Sequence, residues 1–368
     1  MTTSVLDPVA ITGCGVVSPA GAGLDALRAL LDGETTANAT PVAEDAEALP
    51  PVAVRTVPEI RLADYVGRKG TRRLDRMIGF TLIATRLALE SAGGADDDAL
   101  RARTGVAVGT TTGSVRSVYE LAHSIFRPEV GYVPSRFPNS VMNSCAGQVA
   151  VWNAFQGVNS TLANGHASSA SALRYARNAI RFGHATRVFV GGVEELSPQV
   201  AWGWHKSGTL TQDALLGEGC AMLVAEDPAR VGDREVLAEL LGAEVGYFDP
   251  RDRRITPARG LARCVTRLLE RAGLTAGDVD LVSPGAASQH GARAVEEYGL
   301  RLALGELPAA VRVSEAVGDC YSASGALQAA AVLARWSGGS HPGERHALVS
   351  SLGTDGSVGC FLLRRPAA

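Results

Sequence analysis

One supersecondary pattern occurs twice in this chain, and the repetition limits the possible folds more than any other feature. The first copy, Val158–Glu195, reads as a short strand, a tight turn of small residues at Ala163–His166, an Ala-rich helix, a stop at Gly183 and a strand ending in Gly191-Gly192. Leu173, Ala176 and Ile180 recur on one helical face, and Ser168 and Ser169 stand where they can cap the helix. The second copy, Val311–Gly353, reads as strand VRVS, turn EAVGDCYSAS, Ala-rich helix GALQAAAVLARW, a Gly pair and strand HALVSSLG. The endings match as well, GEGCAMLVAE after the first copy and DGSVGCFLLRR after the second. Such duplication predicts two halves about a pseudo-two-fold axis, residues 1–230 and 231–368, with the two turns facing each other. The turn residues are His166 and Asp319. Each sits at a helix start, where free N–H groups and the helix dipole gather.

The remaining segments fit the same scheme. The first half reads as strand Val9–Ser18, helix Leu24–Leu31, long amphipathic helix Leu74–Ala92 and buried strand Val106–Val108. Thr110, Thr111 and Thr112 then either line a cavity or cap the helix Ser114–Phe126. A loop at Arg127–Phe137 leads to a small-residue helix, Asn139–Phe155, with Met142, Cys145 and Val149 on one face. Ser197–Leu216 reads as a loop, whose Trp202 and Trp204 suit a packing lid over a cleft. The second half reads as strand Val236–Val245, helix Gly260–Ala272, strand Val279–Val282, turn SPGAASQHG and helix Ala292–Leu304. Strands alternating with helices predict mainly parallel α/β sheets. The central helices of the two copies are rich in Ala, Leu and Val, which predicts burial on all sides between two sheets. The expected fold class is therefore five-layer αβαβα.

Charge and cysteine usage narrow the function. Net charge is −3 with no basic block apparent, which argues against nucleic acid as a partner. The six Cys are scattered in apolar contexts without metal spacing, and the seven His form no ligand pattern, so no metal is expected. No run of about 18 apolar residues suggests a membrane span. The N-terminus does not read as a signal peptide, so a reduced cytoplasmic setting is expected.

Several ordered segments resemble the β-ketoacyl synthase family, whose fold is the thiolase fold. They include VAITGCGVVSPAG, RKGTRRLDR, PNSVMNSCAGQVAVWNAFQGVNSTL, VGGVEELSP, LLGEGCAMLVAE and SSLGTDGSVGCFLL. The family's chemistry needs a Cys nucleophile at a helix start and two His for decarboxylation and oxyanion stabilisation. By this resemblance, the Cys position falls on His166 in ANGHASS. The His of the family's Asn-Ala-His-Gly-Thr motif falls on Gly285 in SPGAASQ. The Lys and His of its Lys-Ser-x-x-Gly-His motif fall on Ser314 and Asp319, and the Phe of its closing Gly-Phe-Gly-Gly turn on Thr354.

A scaffold kept without its triad resembles the chain length factor of type II polyketide synthases, although that subunit commonly carries Gln where this chain has His166. The resemblance implies no intrinsic condensing activity and no cofactor. It implies a heterodimer with an active ketosynthase, and a shared tunnel fed by malonyl and growing acyl chains on acyl carrier protein. The tunnel and chain-length candidates are Val115, Val118, Tyr119 and Ala122, with Met142 from the interface helix. Two other readings stay open. One is an independent acyl-transfer or hydrolytic enzyme using His166 and Asp319, with Ser168 or Ser322 as nucleophile. The other is a homodimeric module binding carrier protein or a free acyl ligand.

Overall fold

Ten strands carry the architecture, five from each end of the chain. A computed structural model describes residues 7–41, 45, 48–93, 97–127, 134–251 and 256–367. The first five strands are β1 (Val9–Ser18), β2 (Thr104–Gly109), β3 (Asn159–Leu162), β4 (Arg187–Glu194) and β5 (Gly219–Glu226). They lie in the order β3-β2-β4-β5-β1. The second five are β6 (Ala238–Tyr247), β7 (Leu281–Pro284), β8 (Ala309–Ala310), β9 (His346–Leu352) and β10 (Ser357–Arg364), in the order β8-β7-β9-β10-β6. Pairing senses repeat as well: the first three strands of each order run parallel, and the next two are joined antiparallel. The sheets meet edge to edge where Val9, Ala10 and Ile11 of β1 pair with Leu240, Glu239 and Ala238 of β6.

Helices complete the layers. They are α1 (Leu24–Leu31), α2 (Arg76–Ala92), α3 (Val115–Phe126), α4 (Ser144–Asn153), α5 (Ser168–Arg181), α6 (Pro198–Ser207), α7 (Pro257–Ala272), α8 (Ala292–Leu304) and α9 (Ser324–Ser337). α5 and α9 lie between the sheets and touch strands of both. α2 and α4 cover the outer face of the first sheet, α7 and α8 that of the second, giving the five layers α-β-α-β-α. Apolar clusters fill each interlayer space. The central one includes Leu173, Ala176, Leu327 and Phe361, and the outer ones centre on Ile78 and Leu82 and on Leu261 and Leu268. Full burial of each large apolar side chain contributes about 1.5–3 kcal/mol.

Several local readings need correction. α9 is buried from Ser324 to Ala334, but α5 exposes Arg174, so only one central helix is enclosed on all sides. VRVS is not a strand: the parallel strand is the preceding Ala309–Ala310, and Val313–Val317 is a short helix. Half of the segment 197–216 is helical, because Ser197 caps α6 by accepting from Val200 N and Pro198 occupies its first turn. α7 begins three residues earlier than its Gly suggests, capped by Thr256 with Pro257 at its start. Residues 128–133 of the 127–137 loop lie outside the described residues.

Candidate functional site

The two repeated turns meet at the centre of the molecule. Gly165 has φ +52°, a conformation that suits glycine, and a Cβ there would stand 3.0 Å from Asp355 Oδ2 and 3.1 Å from Ser357 Oγ of the second half. Its carbonyl accepts from Ser168 Oγ (2.7 Å) and from Ser322 Oγ across the pseudo-axis (3.1 Å). Ser169 Oγ donates to the Ser322 carbonyl at 2.5 Å. These serines lace the two helix starts together and are not side-chain caps; the N-cap residue of α5 is Ala167.

His166 and Asp319 come together as the repeat predicts. His166 Nε2 stands 3.4 Å from Asp319 Oδ1, and both side chains are 6% exposed. Burial disfavours the charged imidazole, but the charge and hydrogen bonding of Asp319 outweigh it and hold His166 above its ordinary range. Burial likewise opposes the charged carboxylate, and His166 outweighs it, so Asp319 is held below the usual range. Asp319 Oδ1 also accepts from Tyr321 N at 3.0 Å. Its backbone pairs with the short strand Leu215–Gly217 through Asp319 N to Leu215 O (2.8 Å) and Gly217 N to Asp319 O (2.9 Å). The pair is therefore fixed by both halves.

The positions around the pair are occupied as follows. A Cβ on Gly285 would lie 3.0 Å from both Gln328 Oε1 and the Ser350 carbonyl, a tight fit that a side chain would need its neighbours to relieve. The backbone there is instead held by Glu296, which accepts from Gly285 N (3.1 Å), Ala286 N (2.8 Å) and Ser350 Oγ (2.8 Å). Ser168 and Ser322 direct their hydroxyls to Gly165 O and toward each other, at 3.3 Å, and not toward His166. Cys145 and Cys320 are buried, which pushes both thiols up, away from the thiolate form.

The tunnel candidates lie on α3 and just ahead of α4. Val118, Tyr119 and Met142 are 47%, 50% and 45% exposed, and Val115 and Ala122 are half-buried. α3 is anchored by polar contacts. Ser117 Oγ donates to Asp75 Oδ2 (2.9 Å), as does Ser114, and Arg116 joins Asp45 and Glu195. Burial pushes Glu195 up to about 7, against the pull of Arg116.

Sequence reasoning missed three residues that shape the site. Glu194, buried at the end of β4, accepts from the Thr111 and Thr112 amides at 2.8 and 3.3 Å. Tyr321 meets His166 edge-on at a ring separation of 4.7 Å. Asp355 lies over Gly165. A Glu directly after an apolar strand and a Gly pair is the one such signal in the sequence, because a carboxylate there must find buried donors. The threonines divide their duties: Thr110 Oγ1 accepts from Gly113 N at 3.2 Å, whereas Thr111 reaches Ser168 Oγ at 3.0 Å.

The profile described as "Beta-ketoacyl synthase, N-terminal domain" matches residues 6–229. The 3-oxoacyl-(acyl-carrier-protein) synthase I of Hordeum vulgare is 27% identical over 363 residues, covering 88% of this chain and 77% of that protein. The actinorhodin polyketide putative beta-ketoacyl synthase 2 of Streptomyces coelicolor is 30% identical over 355 residues, covering 88% and 84%. Among solved structures, the ishigamide ketosynthase/chain length factor superposes with a TM-score of 0.82 at 32% identity, covering 98% of this chain and 100% of that one. With duplicated sheets, paired turns and a profile match over more than half its length, the chain belongs to the beta-ketoacyl synthase family.

Proposed function

We propose that this chain is a non-condensing subunit of the chain-length-factor type, acting beside an active ketosynthase in polyketide or fatty-acid assembly. One observation carries the reading. The positions matching the family's Cys and two His hold His166, Gly285 and Asp319, and the first and last of these are tied to each other as a buried pair. Without a thiolate there is no acceptor for the growing chain, and without the imidazoles nothing assists decarboxylation.

The exposed surface suits a partner. α3 and its neighbourhood leave Val118, Tyr119, Ile125, Phe126, Phe137, Val141, Met142 and Val151 exposed, and β3 is the edge strand of its sheet. Apolar area of this kind favours burial against a second chain, and an open strand edge offers unpaired backbone groups. A tunnel lined by Val115, Val118, Tyr119, Ala122 and Met142 would then be closed by the partner and not by this chain alone. Carrier protein bearing malonyl or acyl groups is the expected substrate donor. Arg61, Arg68, Lys69, Arg72 and Arg73 surround one depression and suit an acidic partner.

Co-expression with an active ketosynthase, followed by native mass spectrometry, tests the reading. A one-to-one complex in which this chain's loss abolishes product is expected. A stable homodimer that ignores the ketosynthase and elongates chains unaided would overturn it.

A further inference from the structure

Tyr321 is one of two non-glycine residues with positive φ among those described, at +49°. A bulky residue in the left-handed region is strained by about 1–3 kcal/mol and persists where its surroundings over-determine it. Here the surroundings are specific. The phenol ring stands edge-on to His166 at 4.7 Å, and Trp204 stands edge-on to the phenol at 4.9 Å. The Trp204 ring itself lies 6.3 Å from that of His166. The hydroxyl reaches across to the opposite turn, 3.6 Å from where a Gly165 Cβ would be.

Both aromatic residues are held from behind. Trp204 packs on the small apolar cluster of Val54, Leu196, Ala201 and Leu216. Tyr321 is set by the hydrogen bond its backbone N–H donates to Asp319 Oδ1, and the Asp319 backbone is in turn hydrogen-bonded to the Leu215–Gly217 strand that carries Leu216. His166 beneath them is only 5% exposed, whereas Tyr321 and Trp204 are half-buried and form the outer layer. Burial, with the charges of Asp355 and Glu194, pushes the phenol up to about 12, so it remains a neutral packing group.

We propose that Tyr321, backed by Trp204, is a plug that closes the vacated nucleophile turn against acyl thioesters. It keeps carrier-bound chains from entering a site that cannot turn them over. The plug extends the non-condensing reading, but it is measured on this chain alone, so its failure and the failure of that reading are distinguishable.

The test installs a reporter thiol under the plug. His166→Cys in the otherwise intact chain is treated with iodoacetamide, and labelling at residue 166 is followed by peptide mass spectrometry. The same is done with Tyr321→Gly and with Tyr321→Phe added. Glycine accepts the positive φ, and phenylalanine keeps the ring while losing the hydroxyl. We expect H166C and H166C/Y321F to label slowly and H166C/Y321G at least tenfold faster. Equal rates in H166C and H166C/Y321G would overturn the proposal. If H166C does not fold because Asp319 is left as a buried unpaired charge, the comparison is made in an H166C/D319N background with the same expected and contrary outcomes.

Discussion

His166 and Asp319 form a buried pair, 3.4 Å apart, contributed by the two repeated turns. Neither charge would be stable alone at this depth, and each shifts the other toward its charged form. Removing them should not be symmetrical. In Asp319→Asn the imidazole can discharge, at a cost of about 1 kcal/mol. In His166→Ala the carboxylate is stranded, at a cost of about 3 kcal/mol at neutral pH. Urea denaturation of the two variants tests this ordering. The pH dependence follows from the directions of the shifts. His166 is held above its ordinary 6.5, so its contribution is complete below pH 6.5 and is lost as pH rises through its folded value. Asp319 is held below its ordinary 3.8, so its contribution is complete above pH 3.8 and is lost as pH falls through its folded value. The stability gap between wild type and D319N should be widest between about pH 4 and 6.5 and should narrow toward pH 9. A gap that is constant across this range would mean that the two groups do not titrate as a pair.

Among the elements, α3 is unusual in how it is attached. Its buried residues are Ser117 and Ser124, while Val118, Tyr119, Ile125 and Phe126 are exposed. Asp75 serves as a hub: Oδ1 caps α2 by accepting from Ile78 N at 2.9 Å, while Oδ2 accepts from Ser114 and Ser117. Asp75→Ala should cost about 1 kcal/mol through the lost cap. It should also loosen α3, so that amides 118–126 exchange hydrogen faster while the core of α2 stays protected. Unchanged exchange in α3 would show that Arg116 alone suffices. The sequence made α2, α8 and the central helices α5 and α9 legible through their apolar period and nearby Gly, whereas the VRVS strand and the Ser168–Ser169 caps read in the repeats did not form. It hid α6, since Trp202, Trp204 and His205 resemble a loop lid while Ser197-Pro198 is a helix start. It hid the strand at Ala309–Ala310 because two residues carry no alternation, whereas VRVS does. The His166–Asp319 contact was legible from the repeat itself. Tyr321 was not, because its importance comes from a backbone angle and from Trp204, more than a hundred residues away in the chain.

At the scale of the whole molecule, a net charge of −3 conceals a local cation cluster at Arg61, Arg68, Lys69, Arg72 and Arg73. Four of these five cations stand in the single run RKGTRRLDR, so the expectation of no basic block needs correction. Interactions of such exposed charges with an acidic carrier protein are screened within about 10 Å at 0.1 M salt. Replacing Arg68 and Arg72 with Glu should therefore weaken carrier binding about tenfold at low salt and have little effect at 1 M salt. An effect that persists at high salt would point to lost packing and not to charge. Among the described residues no helix is long and apolar enough to cross a membrane. The surface is instead marked by this basic cluster, the apolar face around α3 and the open edge of β3. All three bear on the central claim, that this chain shapes an assembly line without accepting its intermediates. The most direct measurement is the intact mass of each subunit after the complex with an active ketosynthase meets malonyl-loaded and acyl-loaded carrier protein. The account predicts acyl mass on the ketosynthase and none on this chain. Acyl mass on this chain, retained when the ketosynthase cysteine is removed, would contradict it.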